Sequence, residues 1–284
     1  MATFTNQATL TYNGISTNSN VAFGEILDVL SVTKTVVEDS YAQGDTVTYV
    51  VSLRNTGGNT LTNLTVTDNL GAYTYNGNTV YPLTYVNGSA LYFVNGALQP
   101  TPAVTAGPPL SITGISIPAN GDAVIVYQAV ANAFASPEVG GSIVNTVTVN
   151  GDGLSAPITA TATVEAQTAA NLSISKSITP SQVVDNDRVT YTFVIQNTGN
   201  EAVLATDDAI ISDLFNPILS ALAVTFEGAT WTEGTEYNYD ETTGQFTTVV
   251  GNITVPAATY TRDAVTGEYI LTPGIATLVV TGTI

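Results

Sequence analysis

Residues 4–14, FTNQATLTYNG, alternate apolar and polar side chains and end in an Asn-Gly pair, the pattern of a strand running into a tight turn. A polar stretch, ISTNSN (15–20), follows, and then a second extended piece, VAFGEIL (21–27). The first 27 residues thus read as two strands joined by a loop. A lone hairpin is marginal in water and needs a sheet to join. The rest of the chain indicates which sheet.

VLSVTKT (29–35) recurs as NLSISKS (171–177), and GDTVTYVVSLRNTG (44–57) recurs as NDRVTYTFVIQNTG (186–199). The stretch before the second copy, IVNTVTVNG (143–151) and then ITATATVE (158–165), matches residues 1–27, with Asn145 standing where Asn6 stands. Further on, IPANGDAVIVYQAV (117–130) matches LTPGIATLVVTGTI (271–284). Each repeat start is preceded by a hairpin, the first hairpin follows no repeat, and the second repeat is followed by no hairpin. The expected organisation is a donor hairpin (1–27), a first sandwich (28–168) and a second sandwich (169–284) lacking its last two strands. Strands of the first sandwich are expected up to 158–164, with an irregular Pro- and Gly-rich loop at 96–109.

The 284 residues suit two domains, each large enough for its own core. The chain is rich in Thr, Val, Asn and Gly, has turn clusters throughout and shows no helical period, which predicts antiparallel all-β sandwiches. Only five basic residues stand against 23 acidic ones, a net charge of −18. Such a chain repels phosphate backbones and anionic lipid, so nucleic acid and lipid surfaces are poor partner candidates, and neither nucleic-acid binding nor membrane insertion is expected. With no Cys and no His, disulfides, thiol catalysis, His acid–base chemistry and ordinary zinc sites are excluded too. No cofactor and no metal is expected. The run MATFTNQAT has neither the basic nor the apolar part of a secretory signal, and there is no run of 18 apolar residues. Trp231 is expected to plug a core or a sheet edge. The acidic residues Glu233, Glu236, Asp240 and Glu241 match no calcium loop and read as a solvated turn.

Period two picks out the residues that face inward. Leu30, Val32, Lys34 and Val36 share a face, as do Leu172, Ile174, Lys176 and Ile178. Asp68 lies in row with Leu64, Val66 and Leu70, and Asp213 with Ile211 and Phe215. Asn145 aligns with Ile143, Val147 and Val149, and Asn6 with Phe4, Ala8, Leu10 and Tyr12. Each core is thus offered one Lys, one Asp and one Asn. Burial favours the neutral amine and the neutral carboxyl. The amine is then a nucleophile, and Asp68 or Asp213, as an acid, polarises the Asn carbonyl for amide formation with loss of ammonia. The expected links are Lys34–Asn145 within one chain and Lys176–Asn6 between chains. A non-covalent Lys–Asp pair hydrogen-bonded to Asn is the alternative.

The pattern K(T/S)…GD.VTY…NTG…L..(V/I).D.L…N(T)(V/A)TV resembles the bacterial surface repeat called domain of unknown function eleven, and covers nearly the whole chain. The opening is similar to short two-repeat proteins of that family in spore-forming Firmicutes. The resemblance implies an immunoglobulin-like β-sandwich, an extracellular place on a cell or spore surface, and no enzyme activity. It departs at Asn186, which replaces the usual Gly before Asp187. Surface sandwiches of Gram-positive bacteria also resemble the layout of Lys on the first strand and Asn on the last.

These readings lead to an expected structural subunit. Copies would join head to tail as the hairpin, burying Phe4, Leu10, Tyr12, Val21, Phe23 and Ile26, enters the second sandwich of the next copy. The tether from Leu27 to Leu30 reaches only ~10 Å, which favours a neighbour over the same chain. The other expected class is a monomeric adhesin whose loop residues, such as Tyr73, Tyr75, Tyr81 and Tyr92, contact a receptor.

Overall fold

The computed structural model describes residues 2–26 and 28–284, and the side chains of all of these except Ala2 and Ile26. The protein is all-β. It divides into two compact units, residues 1–136 with 142–165 and residues 137–141 with 166–284.

Residues 2–26 form one long hairpin of four strands: β1 (Ala2–Asn6), β2 (Thr9–Tyr12), β3 (Ile15–Asn18) and β4 (Ala22–Ile26). The stretch expected as a loop, ISTN, is β3. The two-residue turn at Asn13 (φ 49°) and Gly14 (φ 81°) sends the chain straight back, so Tyr12 faces Ile15 and Leu10 faces Thr17. Further along, Phe4 faces Gly24 and Asn6 faces Ala22. Between the two paired segments Gln7 and Ala8 oppose three residues, Ser19–Val21, closed by Ser19 N–H donating to Ala8 O (2.8 Å). That extra residue reverses which side chains face which way on the returning strand. Phe23 therefore sits opposite Thr5, on the face away from Phe4, and so is not part of the row of Phe4, Leu10 and Tyr12 with which it was expected to be buried. Val21, in the break, is likewise off that row. Ile26, also expected there, has its side chain outside the described residues, as does all of Leu27. Among the described residues no other strand pairs with this hairpin, and Phe4, Leu10, Tyr12 and Phe23 are all exposed.

The sandwich of the first unit runs through β5 (Leu30–Val36), β6 (Ser40–Tyr41), β7 (Thr46–Asn55), β8 (Leu61–Asp68), β9 (Tyr73–Tyr75), β10 (Asn78–Val80) and β11 (Leu83–Tyr85). It continues through β12 (Leu91–Val94), β13 (Ala97–Leu98), β14 (Ala103–Thr105), β15 (Leu110–Ile117), β16 (Asp122–Ala131), β17 (Ser142–Asn150) and β18 (Ile158–Ala166). One sheet has the order β13-β12-β16-β7-β5, and the other β14-β15-β8-β17-β18-β6. Alternate residues of β7 and β16, among them Tyr49, Val51, Ile125 and Tyr127, are wholly buried between the sheets. The loop expected to be irregular holds β13 and β14. Both are two or three residues long and lie at sheet edges, where the flanking prolines remove no ladder bond.

The second unit comprises β19 (Leu172–Thr179), β20 (Arg188–Asn197), β21 (Ser212–Leu214), β22 (Ser220–Phe226), β23 (Ala229–Trp231), β24 (Tyr237–Asp240), β25 (Gln245–Thr248), β26 (Thr259–Arg262), β27 (Tyr269–Thr272) and β28 (Gly274–Thr283). Its larger sheet has the order β19-β20-β28-β22-β23, faced by β21-β25-β24. Phe193, Phe215, Phe246, Leu278 and Val280 fill the space between. Asp213 faces Phe246 on β25 as Asp68 faces Leu110 on β15, so β21 stands in for β8. In the first unit β17 lies along the other edge of β8, and β18 along β17. Among the described residues β21 has no neighbour on that edge.

Candidate functional site

β5, β8 and β17 carry Lys34, Asp68 and Asn145 into the first core, at 5%, 1% and 0% exposure. Lys34 Nζ donates to Asp68 Oδ2 at 2.5 Å, and the Tyr127 hydroxyl donates to the same oxygen. Asp68 Oδ1 accepts the Leu70 amide at 2.7 Å. Both carboxylate oxygens are thus engaged, and Asn145 Oδ1 takes its bond from Gly71 N–H (3.2 Å), which is shared with Asn69 Oδ1 (3.0 Å), rather than from Asp68. The expected polarisation of the Asn carbonyl falls to a backbone amide, as in an oxyanion hole. Gly71 is required there: its φ is 71°, and a Cβ would lie 2.7 Å from Ile143 Cγ2. Asn145 Nδ2 and the Tyr49 hydroxyl are buried without a hydrogen-bond partner. An orphaned amide nitrogen of this kind costs about 1–3 kcal/mol.

Lys34 Nζ also lies 4.6 Å from the centre of the Tyr49 ring and 5.9 Å from that of Tyr127. Burial, only partly offset by Asp68, depresses the lysine to about 8. Burial likewise pushes both phenols up, and the neighbouring Asp68 charge adds to it, while the Asn145 side chain pulls the other way. The arrangement holds a lysine drawn toward its neutral form, a carboxylate able to carry a proton, a polarised amide carbonyl and a free amide nitrogen. Tyr49, Gly71 and Tyr127 were not singled out from the sequence. The two tyrosines lie at inward period-two positions of their strands, and Gly71 follows Asp68 in the turn DNLG, which is the signal that points to them.

The second unit repeats the pair and leaves it open. Lys176 Nζ donates to Asp213 Oδ2, with 37% of the lysine side chain and 19% of the aspartate side chain exposed, against 0% and 2% for Lys34 and Asp68. The ammonium sits 4.4 Å from the Tyr191 ring centre and 5.1 Å from that of Phe215. Every residue of β19 is exposed, including Leu172, Ile174 and Ile178, whereas the matching Leu30 is buried. Val280 faces Tyr191 as Tyr127 faces Tyr49, so the second pair has no equivalent phenol. One backbone bond registers the difference between the two edges. Asn69 N–H donates to Thr146 O of β17 (3.0 Å), whereas Leu214 N–H, in the same place, turns onto its neighbour's carboxylate, Asp213 Oδ1 (3.0 Å). Asn6, the residue expected to complete this site, lies on the exposed hairpin.

Elsewhere, Trp231 stacks on Phe226 (5.0 Å) on edge strand β23. The acidic turn uses its carboxylates locally, Asp240 accepting from Thr242 N–H (2.8 Å) and Thr243 Oγ1 (2.8 Å). No cluster of three or more metal-ligating side chains occurs among the described residues. No helix among them is long and apolar enough to cross a membrane. The hydroxyls of Tyr73 and Tyr92 are tied to Phe134 O and Ser116 O, while Tyr81 lines a cleft of about 420 Å³ with Tyr85 and Phe134.

No protein-family model matches the sequence, and no curated protein matches it. Among solved structures, the chain is similar to the major pilin subunit of Bacillus cereus, with 11% identity over 96% of this chain and 73% of that one, TM-score 0.37. It is similar to the pilus backbone protein of Streptococcus pneumoniae, with 14% identity over 86% and 55%, TM-score 0.34. A third likeness is to the N-terminal domain of a Streptococcus gordonii adhesin, with 15% identity over 54% and 36%, TM-score 0.36. The chain therefore spans about a third of that adhesin structure and about half of the pneumococcal one.

Proposed function

We propose that this chain is a structural subunit of an extracellular surface filament, whose copies join head to tail by donating residues 1–27 to the second unit of the next copy. The observation that carries the reading is the contrast between two like pairs. Lys34–Asp68 is sealed under β17 and β18, while Lys176–Asp213 lies open beside the unpaired edge of β21, and an exposed hairpin of matching sequence is present. Strand addition satisfies an open edge and removes a template for random aggregation. A hairpin given to another copy and an edge filled by a third make a contact that does not close on itself. The surface location rests on the repeat's resemblance to bacterial surface domains.

Amide bonds complete the reading. Nζ of Lys34 attacks Cγ of Asn145, the Nζ–Cγ bond forms and the Cγ–Nδ2 bond breaks. Asp68 takes a proton from Nζ and returns one to Nδ2, so that ammonia leaves and no redox partner is consumed. Gly71 N–H steadies the oxygen that gains charge. Lys176, Asp213 and the neighbour's Asn6 repeat this once the hairpin is seated.

The test is negative-stain microscopy of the purified chain beside a variant lacking residues 1–27. Filaments are expected from the full chain and monomers with an intact first sandwich from the variant. Filaments of equal length from both would overturn the proposal, and a strictly monomeric full chain would turn it toward an adhesin.

A further inference from the structure

The acceptor edge and the hairpin each have a counterpart inside the first unit. On β17–β18 the first inward pairs are Ile143 with Val164 and Asn145 with Ala162. On the hairpin they are Phe4 with Gly24 and Asn6 with Ala22. The asparagine faces an alanine in both. In the pair before it, a large and an absent side chain replace two of middle size, so the total volume is nearly kept. Phe4 extends across the space over Gly24, where a Cβ would lie 2.2 Å from its ring. The inward row then continues as Ala8 and Leu10, where β17 has Val147 and Val149.

β17 lies on β8 with Val147 opposite Asp68, Thr148 opposite Thr67 and Val149 opposite Val66. Asp213 takes the place of Asp68 on β21. We infer that the hairpin of a second copy of this chain seats on β21 in one register only, with Ala8 opposite Asp213, Thr9 opposite Ser212 and Leu10 opposite Ile211. This deepens the strand-donation reading and rests on it. In this register Asn6 enters the lysine–carboxylate site and the Gln7 carbonyl receives Leu214 N–H, as Thr146 O receives Asn69 N–H. The competing register aligns the turn pair Asn13-Gly14 with Asn150-Gly151. It slides the hairpin by two residues, puts Thr11 opposite Ser212, and leaves Ala8 where the amide is needed. That register would cover Lys176 and Asp213 with no amide for the lysine to attack, so no bond would lock it. The occupied face is also fixed: Phe4, Asn6, Ala8, Leu10 and Tyr12 go inward, and Phe23 stays outside.

The chain contains no cysteine, so engineered pairs report without background. Thr9 and Ser212 are both exposed and would stand directly opposite each other, within disulfide reach. Full-length Thr9→Cys/Ser212→Cys and Thr11→Cys/Ser212→Cys proteins are assembled, oxidised and mapped by mass spectrometry, which reads the disulfide whatever other bonds join the copies. The first is expected to give a disulfide between chains, lost on reduction, and the second none. A disulfide from the second pair alone, or filaments with neither, overturns the register while strand donation stands. A disulfide confined to single chains overturns the second copy as occupant. If the cysteine-free chain forms no filaments at all, the reading beneath the inference falls, and the inference falls with it.

Discussion

Lys34 is held in the apolar row of β5 by one carboxylate and two tyrosine rings, a costly place for a charge unless the charge is removed. The proposed amide formation would remove it, and would also remove the orphaned Asn145 Nδ2 as ammonia. The link would close a loop of roughly a hundred residues, worth about 4–5 kcal/mol on a chain-entropy account. In an Asn145→Ala variant the amine stays free. Its pKa is then about 8 when folded, against the ordinary 10.5 when unfolded. Between those values the unfolded chain binds the extra proton, so stability rises with pH from about 8, and falls again as pH drops through 8. The gain is on the order of 2–3 kcal/mol. Above pH 10 the phenols of Tyr49 and Tyr127, pushed up by burial, act in the opposite sense and flatten it. The wild type, with its lysine in amide form, is expected to show no such rise. Urea unfolding from pH 7 to 10, with intact mass on the same samples, checks this. A wild type of full mass whose midpoint climbs with pH would leave Lys34 as an ion-paired amine.

At the scale of the element, the hairpin depends on Gly24 leaving room for the Phe4 ring. Gly24→Val should force the ring out of the inward row and weaken docking by about 1–3 kcal/mol, the usual cost of overpacking. Phe4→Ile/Gly24→Val, which copies the pair Ile143 and Val164, should restore it. The critical concentration for assembly, followed by light scattering, is the measurement; an unchanged value for Gly24→Val would put Phe4 outside the interface. Much of this architecture was legible in the sequence, because alternation with period two and the Asn-Gly turn are local signals. The inward placement of Lys34, Asp68 and Asn145 followed from the same alternation. What could not be counted was the extra residue at Ser19–Val21. Stepping by two from Thr17 puts Val21 and Phe23 on the face of Leu10, and a single inserted residue hands that face to Ala22 and Gly24. Gly71 was hidden for a related reason. Its contribution is a backbone amide aimed by a turn, and no side-chain pattern reports where an amide points.

For the whole molecule, assembly and cross-linking are separable. Asn6→Ala removes the reacting amide and keeps the apolar contacts of Phe4, Leu10 and Tyr12. It is expected to form filaments that fall to monomers on boiling in detergent, whereas wild-type filaments give a ladder with a Lys176–Asn6 peptide. Wild-type filaments that boil cleanly to monomers of full mass would remove the bond between copies and leave strand donation in place.

Lys176 and Asp213 are partly exposed, and in the proposed assembly surroundings like those of Lys34 would arise there only beneath a seated hairpin. The proposed joint would therefore have a reversible stage and an irreversible one. A hairpin two residues out of step offers Ala8 instead of Asn6, has nothing to react with, and can leave. One in step stays long enough for ammonia to go. Growth of this kind would proofread itself: faulty joints would dissolve while sound ones became permanent, and dwell time on the edge would decide which is which.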